Sequence, residues 1–165
     1  MEKRFMCRDC YKLYTPEQAK EMNYRCCNAD ADSYYMAEID EPIAKDIAKL
    51  NKKGYITDYC CAGHYDPSIK ARTPFYVGFR IDAKHISSIL EIVIDSLIYN
   101  VITSNENFET KYLVRLYPDR ELNYFLDNLK EYDEEYYNKF QLWRDKIYRL
   151  AFHGWVNLLP DISNE

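Results

Sequence analysis

Residues 53–64 read KGYITDYCCAGH, and this stretch decides the fold that the sequence predicts. Its first glycine closes a helix, and the residues from Tyr55 to Cys60 form a short strand. The second cysteine, a glycine and a histidine then belong to a long loop, predicted over residues 61–74. Strand-end loops are where the sites of α/β domains usually lie, so the same stretch predicts the functional site.

On both sides of this stretch, turn residues and apolar spacing predict further elements. Asp40 and Pro42 give a helix an acidic cap and a proline at its first position, and this helix ends at Gly54. The elements expected after it are a strand, a helix capped by Asp82, a polar loop and another strand, over residues 75–81, 86–98, 103–109 and 111–117. This order predicts a small α/β or α+β fold in which helices pack on a small sheet.

The C-terminal region is acidic and has a helical pattern. From Asp119 to His153 the chain has neither glycine nor proline, and its apolar residues recur at spacings of three and four. The pattern predicts either one long helix or a helical hairpin that breaks near Asp133. A single helix would extend beyond a domain of this size, which favours dimerisation by helix pairing; the alternative is that its apolar face only covers the sheet.

The chain is expected to form one main domain with a small metal-binding appendage, because 165 residues suffice for one core. We divide it into a zinc-ribbon-like module, a small α/β core and an acidic helical region, over residues 1–40, 41–118 and 119–165. Six cysteines without a signal peptide indicate the cytoplasm, where metal ligands or reactive thiols are more common than disulfides. No stretch is long and apolar enough to suggest a membrane span.

The distribution of charge argues against nucleic acid as a partner. The net charge is -5; residues 1–118 carry 16 basic and 17 acidic side chains, and residues 119–165 carry 6 and 10. Neither part has the basic excess that nucleic-acid binding usually requires. The expected partner is therefore a small nucleotide-like ligand or a host protein, and the 17 tyrosines are typical of an adhesive surface.

The N-terminal cysteines have the spacing of metal ligands. Cys7 and Cys10 are separated by two residues, so that two thiolates can reach one tetrahedral ion, and Cys26-Cys27 follows. A zinc ribbon would have its fourth ligand three residues after Cys26, where the chain has alanine. We therefore predict a degenerate ribbon with structural zinc; the alternatives are a ribbon without metal and a redox role for Cys7 and Cys10. The residues that can supply the missing ligand are Cys27, Asp30 and Asp32.

Three functional interpretations of the 57–64 stretch compete with a purely structural turn. Cys61 and His64 can form a thiolate–imidazole pair for nucleophilic catalysis. Alternatively, Cys60 or Cys61 can join His64 in holding a second metal or in completing the deficient ribbon. In the third, exposed amides and nearby basic groups bind an anion or a nucleotide. The ligand-binding residues that we predict are Thr57, Cys60, Cys61, Gly63, His64, Arg72 and Arg80.

Several families have similar motifs. The text Cys7-Arg-Asp-Cys10 with Tyr24-Arg-Cys26 resembles zinc ribbons such as that of archaeal transcription factor E. Residues 5–82 resemble a family of uncharacterised phage and Firmicute proteins, which combine a cysteine-rich ribbon, an acidic helix start, a Cys-Cys-Ser/Ala-Gly-His loop and an aromatic strand. A weaker likeness, in Thr57-x2-Cys60, is to the wybutosine-synthesis methyltransferases, and it implies a similar small α/β layout.

From these features we expect a phage-type accessory protein, with a role against host defence, that binds a nucleotide-like or anionic ligand at residues 57–64 without turning it over. One alternative is an inhibitor, similar to anti-CRISPR proteins, that contacts a protein through the acidic, tyrosine-rich helix. The other is a small enzyme that depends on a thiol or on S-adenosylmethionine.

Overall fold

The computed structural model describes residues 1–27, 35–92, 97–106, 109–118, 128 and 134–164. Within these residues the chain has an α+β fold with two antiparallel sheets and a long C-terminal helix. The strands are β1 Lys3–Met6, β2 Leu13–Tyr14, β3 Ala37–Asp40, β4 Ile56–Asp66, β5 Ala71–Asp82, β6 Leu97–Glu106 and β7 Glu109–Pro118. The helices are α1 Pro16–Glu21, α2 Glu41–Lys52, α3 Ile86–Leu90 and α4 Glu134–Leu158, and a 3-10 turn at Ala83–His85 precedes α3.

The first sheet is small and has the strand order β2-β1-β3. Helix α1 follows β2 and begins with a capping box, in which the Thr15 hydroxyl accepts from the Gln18 amide while the Gln18 side chain accepts from the Thr15 amide. The buried side chains of this part form a cluster of their own, made of Cys7, Tyr14, Ala19 and Met36. The N-terminal module that we predicted from the cysteines therefore contains a sheet, a short helix and few buried residues.

The second sheet has the order β4-β5-β7-β6, and its first two strands form a long hairpin. The predicted loop over residues 61–74 is wrong, because β4 continues to Asp66 and only residues 67–70 form the turn. Ala62 pairs with Phe75 and His64 with Thr73, so the backbone that we expected in a loop is hydrogen-bonded within the sheet.

The segment between β5 and β7 also differs from the prediction. The helix expected over residues 86–98 ends at Leu90, and residues 97–106 form β6, which pairs with β7 along its whole length. The polar loop expected over 103–109 is therefore part of a hairpin, whereas the strand expected over 111–117 is confirmed. Asp82 precedes the 3-10 turn, but its side chain makes no capping hydrogen bond.

Helix α2 begins and ends where its sequence predicts. Proline lies in its first turn, and Gly54 closes it with φ +98, a conformation that favours glycine. The Asp40 side chain, however, does not cap the helix. It instead accepts hydrogen bonds from Lys3 Nζ at 2.7 Å and from the Ala62 amide at 2.8 Å, and so connects β1 to β4. Burial opposes ionisation of this carboxyl, but Lys3 and the Ala62 amide outweigh that effect and lower the pKa of Asp40.

Helix α4 covers the second sheet. Its buried face carries Phe152 and Trp155, whose rings lie 5.6 Å from Phe75 and 5.7 Å from Phe79, centroid to centroid. The helix continues through Gly154 to Leu158, beyond the predicted end. Residues 119–127 and 129–133 lie outside the described residues, so the choice between one helix and a hairpin stays open.

The long C-terminal helix is confirmed in the described residues, whereas dimerisation stays a prediction. None of the helices in the described ranges combines the length and the apolar character needed to cross a bilayer.

Candidate metal centre

A tight turn after β1 brings the first two cysteines to one side of the N-terminal module. The Cys7 amide donates to the Lys12 carbonyl at 3.0 Å, and the Tyr11 amide donates to the Cys7 carbonyl at 3.0 Å. Tyr11 takes a left-handed conformation, φ +57, which reverses the chain immediately after Cys10. Cys7 is buried under this turn and Cys10 is exposed at its edge.

A second reversal, after α1, brings the Cys26-Cys27 pair to the same place. Asn23 and Tyr24 both have positive φ, of 49 and 57, and the Tyr24 amide donates to the Ala19 carbonyl at 2.7 Å. The Met36 amide then donates to the Tyr24 carbonyl at 2.9 Å, which holds this turn against the start of β3. Two local turns therefore bring the four cysteines together.

The four sulfurs form one compact group. The Sγ atoms of Cys7, Cys10, Cys26 and Cys27 all lie within 4.8 Å of one another, and Cys26 Sγ lies 3.8 Å from both Cys10 Sγ and Cys27 Sγ. A tetrahedral ion with metal–sulfur bonds of about 2.3 Å has sulfur–sulfur edges of about 3.8 Å. The predicted set of four cysteines is thus brought together as a group that can hold a metal ion, with Cys27 at the fourth position. Asp30 and Asp32, the other residues considered for that position, lie outside the described residues.

The electrostatics of the group favour a cation. Burial opposes ionisation of the Cys7 thiol, but hydrogen bonds from the amides of Cys10, Cys27 and Asp9 outweigh it and lower the pKa of Cys7 to about 6. Hydrogen bonds with Cys10, Cys26 and Cys7 raise the pKa of Cys27 to about 12, and burial raises the pKa of Cys10. The Cys7 thiolate therefore forms readily and opposes ionisation of Cys10 and Cys27. A divalent cation would remove this opposition.

Tyr14 is a neighbour of the group that the sequence did not indicate. Its hydroxyl lies 3.0 Å from Cys26 Sγ, and this hydrogen bond, together with burial, raises the pKa of Tyr14, so the hydroxyl keeps its proton. It can therefore donate to the Cys26 thiolate, in the way that outer hydrogen bonds orient metal ligands. Lys12 Nζ lies 5.6 Å from the centre of the Tyr14 ring. The sequence signal that could have revealed this contact is the alternation of side chains along β2, which turns Tyr14 toward the cysteines.

The residues predicted to bind a ligand do not form one site. Thr57 is held by Asn51, whose side chain donates to the Thr57 hydroxyl at 2.9 Å and accepts from its amide at 3.0 Å. Burial raises the pKa of Cys60 to about 12 and also raises the pKa of Cys61, so neither is an activated thiol. Cys61 is buried whereas His64 is exposed on the strand. The two members of the predicted catalytic pair therefore differ in exposure to solvent.

The other three predicted residues have structural partners. Gly63 has φ +71, as its place in the sequence suggested, and a Cβ there would lie 3.0 Å from the Phe75 nitrogen. Arg72 donates to Asp145 Oδ1 at 2.6 Å on α4, while Arg80 donates to Asp58 Oδ2 at 2.6 Å on β4. Within the described residues, the four N-terminal cysteines form the only group suited to a metal, so His64 does not help to hold a second one there.

A groove beside the metal group contains two of the predicted ligand-binding residues. It has a volume of about 270 Å³ and lies between the two sheets, next to the turn of the first two cysteines. Arg8, Glu38, Asn51, Thr57, Asp58, Tyr59 and Cys60 are among the residues that line it. No protein-family model, curated protein or solved structure matches the chain. The resemblances noted from the sequence therefore stay predictions.

Proposed function

We propose that Cys7, Cys10, Cys26 and Cys27 bind one Zn²⁺ ion in a closed, structural centre, and that the chain is a metal-stabilised binding protein. The observation that carries this proposal is the grouping of four sulfurs within 4.8 Å of one another, with the distances from Cys26 Sγ to Cys10 Sγ and Cys27 Sγ, both 3.8 Å, equal to the edge of a tetrahedron around zinc. Four thiolates leave no open position for a substrate, so the ion would stabilise the fold. Tetrahedral sulfur sites hold zinc or iron, and an all-cysteine site selects soft metals over magnesium or calcium.

The size of the N-terminal module supports a structural role for the metal. Within the described residues its own buried cluster has four members, and the partly buried residues against it are Phe5, Tyr24 and Cys26. Met6 and Ile39 join the main core instead. Modules of this size rarely fold on their core alone and usually need a disulfide or a metal. The six cysteines of the described residues are all free, which leaves the metal to provide the cross-link.

Native mass spectrometry of protein purified without chelators tests the proposal. We expect one zinc per chain in the wild type and in Cys60→Ser, which removes a thiol that does not belong to the group. We expect loss or weakening of zinc binding in Cys27→Ser. This variant removes the fourth ligand, whose identity the cysteine spacing in the sequence left open. A wild type without metal, or equal zinc loading of the two variants, would contradict the proposal.

A second candidate function is supported by the groove between the sheets, where Thr57 and Cys60 lie with Arg8. We propose that this groove, rather than the whole 57–64 stretch, takes a small anionic or nucleotide-like ligand. Calorimetric titration with nucleoside mono- and diphosphates should give binding that is weakened in Arg8→Gln and unchanged in His64→Ala, because His64 does not line the groove. The phage accessory role and the two alternatives to it, an inhibitor acting by protein contact and a small enzyme, stay predictions.

A further inference from the structure

A second groove lies on the other side of the metal group, between the N-terminal turn and helix α2. Its volume is about 590 Å³. One wall is formed by Cys10, Tyr11, Lys12 and Leu13, and the other by Lys45, Ala48, Lys49 and Lys52. We propose that this groove, which we call the lysine groove, binds the phosphate backbone of a single-stranded nucleic acid.

The lysines are placed by the fold on facing walls. Lys45, Lys49 and Lys52 are spaced four and three residues apart, which puts them on one side of α2, and they extend over about 10 Å of the helix axis. The opposite side of α2 is buried in the core. Lys12, which directly precedes β2, lines the opposite wall with its Nζ over the Tyr14 ring, and all four lysines are exposed. Lys49 Nζ also donates to Asn157 Oδ1 on α4, so Lys45 and Lys52 are the α2 lysines for which the groove is the main surrounding. A row of cations along one groove is the kind of track that a polyanion follows.

The acidic residues of α2 have hydrogen-bond partners on other elements, although Arg4, helped by the charge of Lys45, lowers the pKa of Glu41. Glu41 accepts a two-pronged pair of hydrogen bonds from Arg4 at 2.7 and 3.0 Å. Asp46 lies 2.8 Å from His153 Nδ1 on α4. The positive charge at the groove affects a neighbouring lysine. Burial and the charge of Lys49 together lower the pKa of Lys53.

The floor of the groove suits a base. Leu13 and Ala48 are apolar, and the Tyr11 ring is half-buried beside them, held there by the left-handed turn. Proteins that bind single strands without reading their sequence combine a basic groove with aromatic rings on which bases stack. The cations lie along the walls of a concave surface, whereas a bilayer is bound by an exposed apolar face with basic flanks. These features favour a nucleic-acid strand over a lipid surface.

The lysine groove is locally basic, although the low basic content of the whole sequence argued against a nucleic-acid partner. The net charge of -5 describes the whole chain, and binding depends on the local field. Lys12 and Lys45 are far apart in sequence, and the packing of β2 against α2 brings them to one groove. A count of charges along the sequence could not detect this cluster.

Fluorescence anisotropy with a labelled oligouridylate of about 12 nucleotides, within the usual site size of such proteins, tests the inference. The protein is the full chain with its metal content measured beforehand. The test variant is the double reversal Lys45→Glu/Lys52→Glu. The matched control is Lys20→Glu/Lys146→Glu, which changes the net charge by the same amount at two exposed lysines outside the groove.

We expect the wild type and the control to bind the strand, and the groove variant to bind at least about tenfold more weakly. The slope of log affinity against log salt should be shallower in the groove variant by about 1.4, from about 0.7 for each lost phosphate contact. Unchanged zinc content and an unchanged circular dichroism spectrum in that variant would separate loss of binding from loss of the metal centre.

Four results would overturn the inference. They are no binding of the strand by the wild type at low salt, equal weakening in the two double variants, binding only to phosphatidylserine vesicles or polyglutamate, and loss of zinc from the groove variant. If the groove variant lost zinc, we would conclude that the lysines neutralise the negative charge of the cysteine thiolates near Cys10. None of these results bears on the count of zinc in the wild type, so the metal centre and the lysine groove are tested separately.

Discussion

Arg72→Met should destabilise the protein strongly, although the sequence placed Arg72 among ligand-binding residues. The Arg72 guanidinium makes three hydrogen bonds to α4: Nε to Gln141 Oε1 at 2.6 Å, Nη1 to Asp145 Oδ1 at 2.6 Å, and Nη2 to the Gln141 carbonyl at 2.8 Å. These bonds fix α4 across β5. Methionine keeps much of the length of the side chain but removes every donor.

The magnitude follows from what the substitution leaves behind. The Asp145 side chain is 4% exposed, so without Arg72 it becomes a buried carboxylate that has lost its cation. Removal of one partner from a buried ion pair typically costs about 3–5 kcal/mol. Because the Arg72 side chain is 18% exposed and water can partly replace it, we expect the lower end, about 3 kcal/mol.

Arg80→Met is the matched control. Arg80 also pairs with an aspartate at 2.6 Å, but the Arg80 and Asp58 side chains are 45% and 33% exposed. Exposed pairs of this kind contribute about 0–1 kcal/mol, so we expect a loss of less than about 1 kcal/mol.

Urea unfolding, followed by tryptophan fluorescence because Trp155 is fully buried, gives both free energies of unfolding. Equal decreases in the free energy of unfolding of the two variants would refute the argument. If Arg72→Met were as stable as the wild type, the prediction that Arg72 binds a ligand would be the better explanation of this residue.

Further predictions concern backbone strain, pH and oligomeric state. Gly63→Ala should lower the free energy of unfolding by about 1–2 kcal/mol, because φ is +71 and a Cβ would lie 3.0 Å from the Phe75 nitrogen, whereas Gly154→Ala, in open space within α4, should raise it by up to about 1 kcal/mol in the same urea assay. The pKa of Asp40 is lowered in the fold, so its bond to Lys3 contributes above the unfolded pKa of about 4 and is lost as the pH falls below it; Asp40→Asn should therefore be less stable than the wild type at pH 7 and approach it in acid. Trp143 is 49% exposed on α4, so if α4 pairs with a second copy, light scattering should find a dimer that Trp143→Glu converts to a monomer, and a monomeric wild type would show the dimer prediction to be wrong.

The parts of the fold that local signals determine were predictable. Helix α2 has its proline and its closing glycine within the segment itself, and both act as expected. The β4–β5 hairpin was missed because Gly63 and Pro74 are usual loop residues. Pro74 is tolerated within β5 because β7 pairs only with residues 77–82, and the register with β4 passes from Thr73 to Phe75 around it. Pairing between distant segments thus overrode the local signal.

The same distinction applies to the candidate sites. Cys7 and Cys10 were predictable from a spacing of two residues, whereas the position of Cys27 beside them depended on the turn after α1. The partners of Arg72 and Arg80 lie 73 and 22 residues away in sequence, so no local pattern could show that these arginines are already engaged. The sequence therefore identified residues that bear charge or thiols, and the fold decided which of them are available.

Asp40 connects the candidate metal centre of the N-terminal module to the main sheet. Cys7 directly follows β1, and β1 carries Lys3, which is bonded to the buried Asp40 carboxylate. The same carboxylate accepts from the Ala62 amide, at the centre of the β4 strand. A metal that fixes β1 therefore also keeps Asp40 charged and in place, because the Lys3 cation must lie within reach of it. Without the metal, Lys3 could move away and leave the buried Asp40 carboxylate without its cation. Removing one partner of a buried ion pair lowers the free energy of unfolding strongly. The metal centre and the main sheet are for this reason expected to be coupled in stability although they share no ligand.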